Sequence, residues 1–421
     1  MKRLLELLFL VCLSSAAFAQ DAPPYNNNVY SHAIKSVEFY NVQKKPSFPL
    51  INLNSNQQLE LEFDDLRGST RNYYYTIEHC DGDWNSSNLS PTEYLQSFTE
   101  DKITDYSYST ATLQKYTHYT IKFPNENIKP KISGNYILRV YEDQDTSKKV
   151  ITRRFYVLNS KASVIADIAA SSNLDVKQSN QKINFQINYG GLTVQNPNND
   201  LRTWVMQNAR DETGAFTTQV QYIRGAQLIY GDLSTNDFSG RNEFRHFDTR
   251  SLRVNSIGVV RIFRDTANSV QLVTDISRNN PNYTFLYDNN GRYYVINNDG
   301  NNAAVDGDYA HTFFSLSAGN KTGADGSVYI VGKFNDYKLD EQSQLHYRND
   351  GKFYTQLLLK QGVYDYEYVW VDKATGKPDE LALEGSYYDT ENDYQLLVYY
   401  RPPTARWEEL VGYSVVNSAK K

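Results

Sequence analysis

Apolar and polar residues alternate with a period of two at many places along the chain, and this pattern predicts β-strands. The clearest run carries its apolar residues on one face, at Ile183, Phe185, Ile187 and Tyr189. Strand side chains point to opposite faces in turn, so one face of this strand is expected to be buried and the other solvated. Further strands are predicted at Gln227–Tyr230, Val259–Phe263 and Arg292–Ile296. No window shows the stripe of a long amphipathic helix, so the predicted fold is all-β, with tandem immunoglobulin-like β-sandwich domains.

The segment from Tyr73 to Leu158 has the most distinctive pattern in the chain. It opens as the strand YYYTIEHC and breaks at Asp81-Gly82-Asp83, which has turn chemistry. Its end reads as a hairpin in which residues 136–141 and 150–158 are the two strands. Alternation predicts that the first of these strands divides its side chains between two faces, with Tyr136, Leu138 and Val140 on one and Ile137, Arg139 and Tyr141 on the other.

Length and composition shifts predict a leader and three structural units. The boundaries are expected at 1–19 for a signal peptide, 20–158 for an N-terminal β-sandwich, 159–318 for a middle β domain and 319–421 for a C-terminal domain. The signal peptide is indicated by Lys2 and Arg3, a short apolar run and an Ala17-Phe18-Ala19 cleavage pattern. We therefore expect an exported, soluble mature chain that begins at Gln20.

Removal of this leader would leave a single cysteine, Cys80, so no intramolecular disulfide is expected. A buried, unreactive thiol is the favoured interpretation of Cys80, ahead of a nucleophile. The formal net charge of −6 argues against binding to nucleic acid or to anionic membrane surfaces. Tyrosine is unusually frequent, at 35 residues, which suits half-buried strand surfaces with the hydroxyl in water.

Motifs for catalysis, cofactors and metals are not found. The six histidines show no metal-ligand spacing, and there is no nucleophile elbow, phosphate loop or dinucleotide fingerprint. Adjacent acids such as Asp64-Asp65 are expected to point to opposite faces of a strand, unlike a glycosidase pair. Short Asp-containing clusters at 143–145, 299–300 and 306–308 are interpreted as turns rather than calcium loops. No catalytic, cofactor-binding or metal-binding residue is therefore predicted, and no obligate small molecule.

The third unit resembles the early-set immunoglobulin-like sandwich of glycogen- and starch-binding modules. The resemblance lies in VYIVGKFNDY at 328–337 and GVYDYEYV at 362–369. Those modules carry a tryptophan where this chain has Tyr337. The following strand places four aromatic residues on one face, Tyr364, Tyr366, Tyr368 and Trp370. With Tyr337 they are candidate sugar or partner contacts, although a sheet face packed by a neighbouring strand or domain is the favoured interpretation.

The blocks at 73–158 and 328–413 together resemble the plug protein family of the Bacteroidetes type IX secretion system. This resemblance implies a non-enzymatic periplasmic protein that binds the periplasmic end of a large outer-membrane β-barrel translocon. It would seal the pore when no substrate or partner subunit occupies it, and would be membrane-associated only through that partner. The alternatives are a carbohydrate-binding protein that uses the aromatic residues of the third unit and, ranked last, an enzyme of unrecognised type.

Overall fold

The computed structural model describes residues 25–217, 219–232 and 234–420, so the predicted signal peptide and cleavage site lie outside the described residues. The described chain is almost entirely β-structure. In chain order its strands are β1 (Asn28–Val29), β2 (Ile34–Asn41), β3 (Leu50–Asn52), β4 (Leu59–Asp65), β5 (Tyr73–Cys80), β6 (Asp101–Lys102), β7 (Asp105–Tyr108), β8 (Thr117–Phe123), β9 (Gly134–Glu142), β10 (Lys149–Leu158), β11 (Ser163–Ala170), β12 (Asn180–Asn188), β13 (Leu201–Gln207), β14 (Ala215–Thr217), β15 (Tyr222–Arg224), β16 (Gln227–Tyr230), β17 (Asp237–Ser239), β18 (Arg245–Asp248), β19 (Val259–Arg264), β20 (Asn268–Leu272), β21 (Asp275–Ile276), β22 (Tyr293–Val295), β23 (Tyr309–Ser317), β24 (Gly326–Val331), β25 (Gln344–Tyr347), β26 (Phe353–Lys360), β27 (Gly362–Asp372), β28 (Pro378–Asp379), β29 (Asp393–Tyr400) and β30 (Glu409–Asn417).

Within residues 25–420, apart from the two undescribed positions, helical structure is confined to single turns. The α-helical turns are α1 (Pro91–Tyr94), α2 (Pro197–Asp200) and α3 (Ala303–Asp306). The 3-10 turns are Leu174–Val176, Asp211–Thr213, Lys333–Asn335 and Ser418–Lys420. Among the described residues, no helix is long and apolar enough to cross a membrane. The prediction of an all-β fold is confirmed.

The first sandwich is formed by two sheets from residues 28–158. One sheet has the order β1-β10-β9-β5-β6, with β3 parallel to β10, and the other has the order β2-β4-β8-β7. Strands β9 and β10 form the predicted hairpin. The predicted alternation is also observed, because Tyr136, Leu138 and Val140 enter the core between these sheets while Ile137 points away from it.

The second sandwich joins the middle of the chain to its C-terminal end. One sheet has the order β11-β12-β16-β15, with β17 beside β12, and the other has the order β14-β13-β29-β30. The alternating residues Ile183, Phe185 and Ile187 of β12 pack in one core with Tyr394 and Leu396 of β29. Burial of one face explains why this strand alternates so regularly.

The largest sheet has eleven strands and runs β18-β27-β24-β25-β26-β23-β20-β19, with β21, β22 and β28 attached at its sides. It encloses a third core that includes Phe247, Phe314, Ile330 and Trp370. Strands on both sides of position 318 belong to it, since Tyr309–Ser317 pairs with Phe353–Lys360. Sheet membership therefore does not follow chain order, and the division into units at 158/159 and 318/319 stays a prediction.

Candidate functional site

The predicted aromatic row lies inside the third core. Tyr364, Tyr366, Tyr368 and Trp370 are all buried. The Tyr364 hydroxyl donates to the Lys360 carbonyl at 2.6 Å, and the hydroxyls of Tyr366 and Tyr368 donate to Asp275 at 2.8 and 2.9 Å. In this conformation the ring faces are covered by protein, and a role in sugar or partner contact stays a prediction. The hydroxyls are paired with protein atoms rather than held in water, contrary to the expectation for tyrosine.

Tyr337 is separate from this row and half-buried. Its hydroxyl donates to the Gly291 carbonyl at 3.1 Å, and the Arg210 guanidinium lies 4.0 Å from its ring centroid. The ring is thus held between a loop and a buried arginine. Among the described residues, no cluster of histidine, cysteine, aspartate or glutamate is placed to hold a metal ion.

A buried charged junction joins the first sandwich to the eleven-stranded sheet. Asp64 and His118 are directly opposite each other on β4 and β8, with Asp64 Oδ1 and His118 Nδ1 2.7 Å apart. Tyr309 and Lys360 are likewise opposite each other on β23 and β26. The Tyr309 hydroxyl and the Lys360 ammonium both donate to Asp64 Oδ2 at 2.7 Å. One carboxylate therefore ties two cross-strand pairs from different sheets together.

The local pattern of β4 explains how Asp64 reaches this junction. Leu61 and Phe63 point into the first core, so the intervening residues face outward, toward the neighbouring sheet. Asp65 turns the other way and accepts hydrogen bonds from Arg67 and Tyr73 at 2.9 Å. The prediction that Asp64 and Asp65 point to opposite faces is confirmed.

A second group of charges extends the junction. Lys45 Nζ lies 3.0 Å from Glu38 Oε2 and 2.6 Å from Glu62 Oε2. The other carboxylate oxygen of Glu62, Oε1, lies 3.8 Å from His118 Nε2. Burial raises the pKa of Glu38 to about 7, against the opposing effect of Lys45. Burial lowers the pKa of His118, but its hydrogen bond with Asp64 and the nearby Glu62 carboxylate outweigh this and raise the pKa to about 9.

The junction is a buried structural contact between two sheets. Asp64 and Lys360 have almost no exposed surface, so a substrate has no access to them. Burial lowers the pKa of Lys360, and the nearby Asp64 carboxylate opposes that effect. The sequence pattern did not reveal these partners because Asp64 and Lys360 are 296 positions apart and neither lies in a recognisable motif.

A separate contact region joins the first and second sandwiches. It is an apolar cluster to which the first sandwich contributes Cys80, Ile137 and Tyr156 and the second contributes Leu397 and Tyr399. The Tyr399 hydroxyl donates to Asn135 Oδ1 at 2.8 Å inside this cluster. Arg202 pairs at 2.6 Å with Glu408, which also accepts the Gly82 amide hydrogen at 3.0 Å. The turn predicted at 81–83 is therefore an inter-sandwich contact.

Exposed apolar side chains also lie at one end of the largest sheet. We define the β19 face by the exposed side chains of β19, β20 and β23 and of the residue after β20, namely Arg261, Phe263, Gln271, Val273 and Phe313. The rings of Phe263 and Phe313 are each 41% exposed, and Val273 is 54% exposed. This face lies beside the edge strand β19.

Comparison with known proteins identifies the family. Residues 34–159 match the family model described as the type 9 secretion system plug protein 1st domain. The chain belongs to the type 9 secretion system plug family. The matched residues include the first sandwich from β2 onward, with the hairpin at β9 and β10 and the Asp64–His118 pair. The family resemblance read from the sequence is thus confirmed.

A solved structure extends the likeness beyond the first sandwich. The crystal structure of a hypothetical protein from Parabacteroides merdae ATCC 43184 has a TM-score of 0.88 and 31% sequence identity to this plug-family chain. The match covers 94% of this chain and 100% of the other. No curated protein matches this chain.

Proposed function

We propose that this chain is a non-enzymatic plug that binds the periplasmic end of the type IX secretion translocon barrel. It closes the pore when neither cargo nor a partner subunit occupies it. The observation that carries the proposal is membership of the plug family, through the matched residues 34–159. The likeness to a solved structure over 94% of the chain supports a role for the assembled molecule rather than for one domain.

The ties between the sandwiches support this role physically. An obstacle in a pore of protein width has to keep its shape, and here buried bonds link the first sandwich to both other cores. Examples are the ion pair between Lys360 Nζ and Asp64 Oδ2 at 2.7 Å and the hydrogen bond from the Tyr399 hydroxyl to Asn135 Oδ1 at 2.8 Å. Release then requires only that cargo or another subunit compete for the barrel, since a binding equilibrium shifts by differential affinity.

The test is deletion of the gene followed by measurement of outer-membrane permeability. Loss of a plug should let large antibiotics such as vancomycin enter and inhibit growth, and the wild-type gene should restore resistance. Tagged protein purified from detergent-solubilised outer membranes should retain a giant barrel subunit at near-equal stoichiometry. Unchanged permeability together with no recovered barrel would overturn the proposal.

Carbohydrate binding is the other function considered for this chain. The four rings at 364–370 that suggested it are buried, so no exposed aromatic platform at these positions favours it. Glucan-affinity electrophoresis of wild-type protein and of Tyr337→Ala tests it directly, because retardation that disappears in the variant would restore it.

A further inference from the structure

We propose that the edge strand β19 and the β19 face bind an extended acidic segment of a partner protein by taking it up as an additional strand. This inference concerns a surface that the plug function does not assign. It holds or fails independently of whether the chain closes a pore.

The first observation is an unpaired strand edge. Strand β19 is the last strand of the eleven-stranded sheet and pairs only with β20. Within the described residues, none of the backbone hydrogen bonds outside the strands involves residues 261–264. At every second position of such an edge strand the N–H and C=O groups point away from the sheet and can pair with an added strand.

The second observation is apolar surface beside that edge. Arg261 and Gln271 are paired residues of β19 and β20, and Gln271 is paired in turn with Phe313 of β23. Phe263 is two residues from Arg261 on the same strand, so its side chain shares the same face. The Arg261 guanidinium lies 4.3 Å from the centroid of the Phe263 ring. An added strand could lay alternate apolar side chains against Phe263 and into the adjoining face.

The third observation is charge. Arg261 and Arg264 are exposed, and among the described residues no ion pair is formed by either guanidinium. Arg253, in the preceding loop, is also exposed and lies 3.9 Å from Asp299 at its nearest approach. The chain as a whole is acidic, with a net charge of −6, so this local group of arginines differs from the average surface. Complementarity therefore favours a segment rich in aspartate or glutamate.

Another edge strand, β15, offers an internal comparison. Its residues Tyr222, Ile223 and Arg224 are all exposed, but the strand is only three residues long and has a single arginine. A three-residue strand offers few backbone bonds to a partner, whereas β19 has six residues. Arg224 is thus a matched control for charge at an edge that is not expected to bind.

The experiment uses protein that lacks residues 1–19 and a fluorescent synthetic peptide in which glutamate alternates with valine and phenylalanine. Binding is measured by fluorescence anisotropy at low and high salt, with a peptide in which lysine replaces glutamate as the reversed-charge probe. We expect the acidic peptide to bind more tightly than the basic one and to weaken with salt. The double variant R261E/R264E should weaken binding by about tenfold or more, while R224E should leave it unchanged.

A second probe separates strand addition from simple charge attraction. The same acidic peptide with an N-methyl group on every residue retains its charges but has no N–H group to pair along either edge. Loss of binding by this peptide supports strand addition. Equal binding of the acidic and basic peptides, no effect of R261E/R264E, or full binding of the N-methylated peptide would each overturn the inference. In these cases the arginines only protect the edge against self-association. None of these results alters the permeability test of the plug function.

Discussion

The carboxylate of Asp64 is buried and accepts hydrogen bonds from Tyr309 and Lys360. Asp64→Asn would keep the shape of this group but leave Lys360 without its paired carboxylate and His118 with only Glu62, 3.8 Å away. Breaking a buried ion pair from one side costs roughly 3–5 kcal/mol. We expect a loss of that size in the free energy of unfolding, measured by urea denaturation.

The control for this substitution is Asp105→Asn, on an exposed strand of the same sheet. It should change stability by less than about 0.5 kcal/mol. Adding Lys360→Met to Asp64→Asn should recover part of the loss, since the buried ammonium is then absent. A loss in Asp64→Asn no larger than that in the control would show that the junction is not an energetic tie.

The raised pKa values of Glu38 and His118 predict that the free energy of unfolding falls as the pH rises. The pKa of Glu38 is about 7 in the folded chain, above its ordinary 4.5, so the folded state binds more protons between these values. Its contribution is complete below pH 4.5 and is lost as the pH rises through 7. Glu38→Gln should flatten the fall in unfolding free energy over this range. Glu126→Gln, at an exposed position, should not.

His118 acts in the same direction over a higher range. Its pKa is about 9 in the folded chain, compared with an ordinary 6.5. The stabilisation is therefore complete below pH 6.5 and is lost as the pH rises through 9. His118→Gln should flatten the decline between these values in urea titrations at a series of pH values. An unchanged decline in this variant would contradict the charged pair with Asp64.

Cys80 is predicted to be unreactive in the folded chain. It is buried, and burial raises the pKa of its thiol well above the ordinary range, so little thiolate is present. Native protein lacking residues 1–19 should not react with Ellman's reagent within minutes, whereas protein in urea should react with one equivalent. Ser55→Cys, at an exposed position, is the positive control. Rapid reaction of native wild-type protein would disprove the burial argument.

The adjacent strands β12 and β11 offer a buried and an exposed side chain for comparison. Phe185 is buried and stacks on Tyr230 with ring centroids 4.4 Å apart. Phe185→Ala should cost roughly 3–5 kcal/mol through lost burial and a cavity. Ile165, on the adjacent strand β11, is 64% exposed, and Ile165→Ala should cost less than about 0.5 kcal/mol. Thermal unfolding of both variants measures the difference, and equal effects would contradict the observed burial.

Strands with one buried face could be predicted from the alternation of apolar and polar residues. The alternation at 182–189 predicted β12, and the predicted strand Gln227–Tyr230 matches the bounds of β16. The row in β27 was harder to interpret, because both faces of that strand are buried. Asp365 and Glu367 alternate with the aromatic residues and are satisfied by His246 and Arg210, which come from distant parts of the chain. A single strand pattern cannot reveal such partners.

The assembled sandwiches predict the behaviour of an isolated first unit. Residues 20–158 without the rest would expose Ile137, Tyr156 and Leu158, which otherwise pack against Met206, Leu397 and Tyr399 of the second sandwich. Exposed apolar patches of this kind promote association. We expect the fragment to bind the dye ANS and to elute from a sizing column as oligomers, whereas protein lacking only residues 1–19 does neither. A monomeric fragment that binds no dye would show that the contact is dispensable for its solubility.

The order of apolar and polar residues was sufficient to predict an all-β chain and its main hairpin, because these follow from local alternation and turn chemistry. The family was indicated separately, by the resemblance of long sequence blocks to known members. The tertiary structure alone decided which sheets share a core. Strands β29 and β30 return to the second sandwich, and Asp64 meets Lys360 across 296 positions. The physical reason is that sheet pairing and buried ion pairs depend on which surfaces meet in space. Separation along the chain carries little of that information.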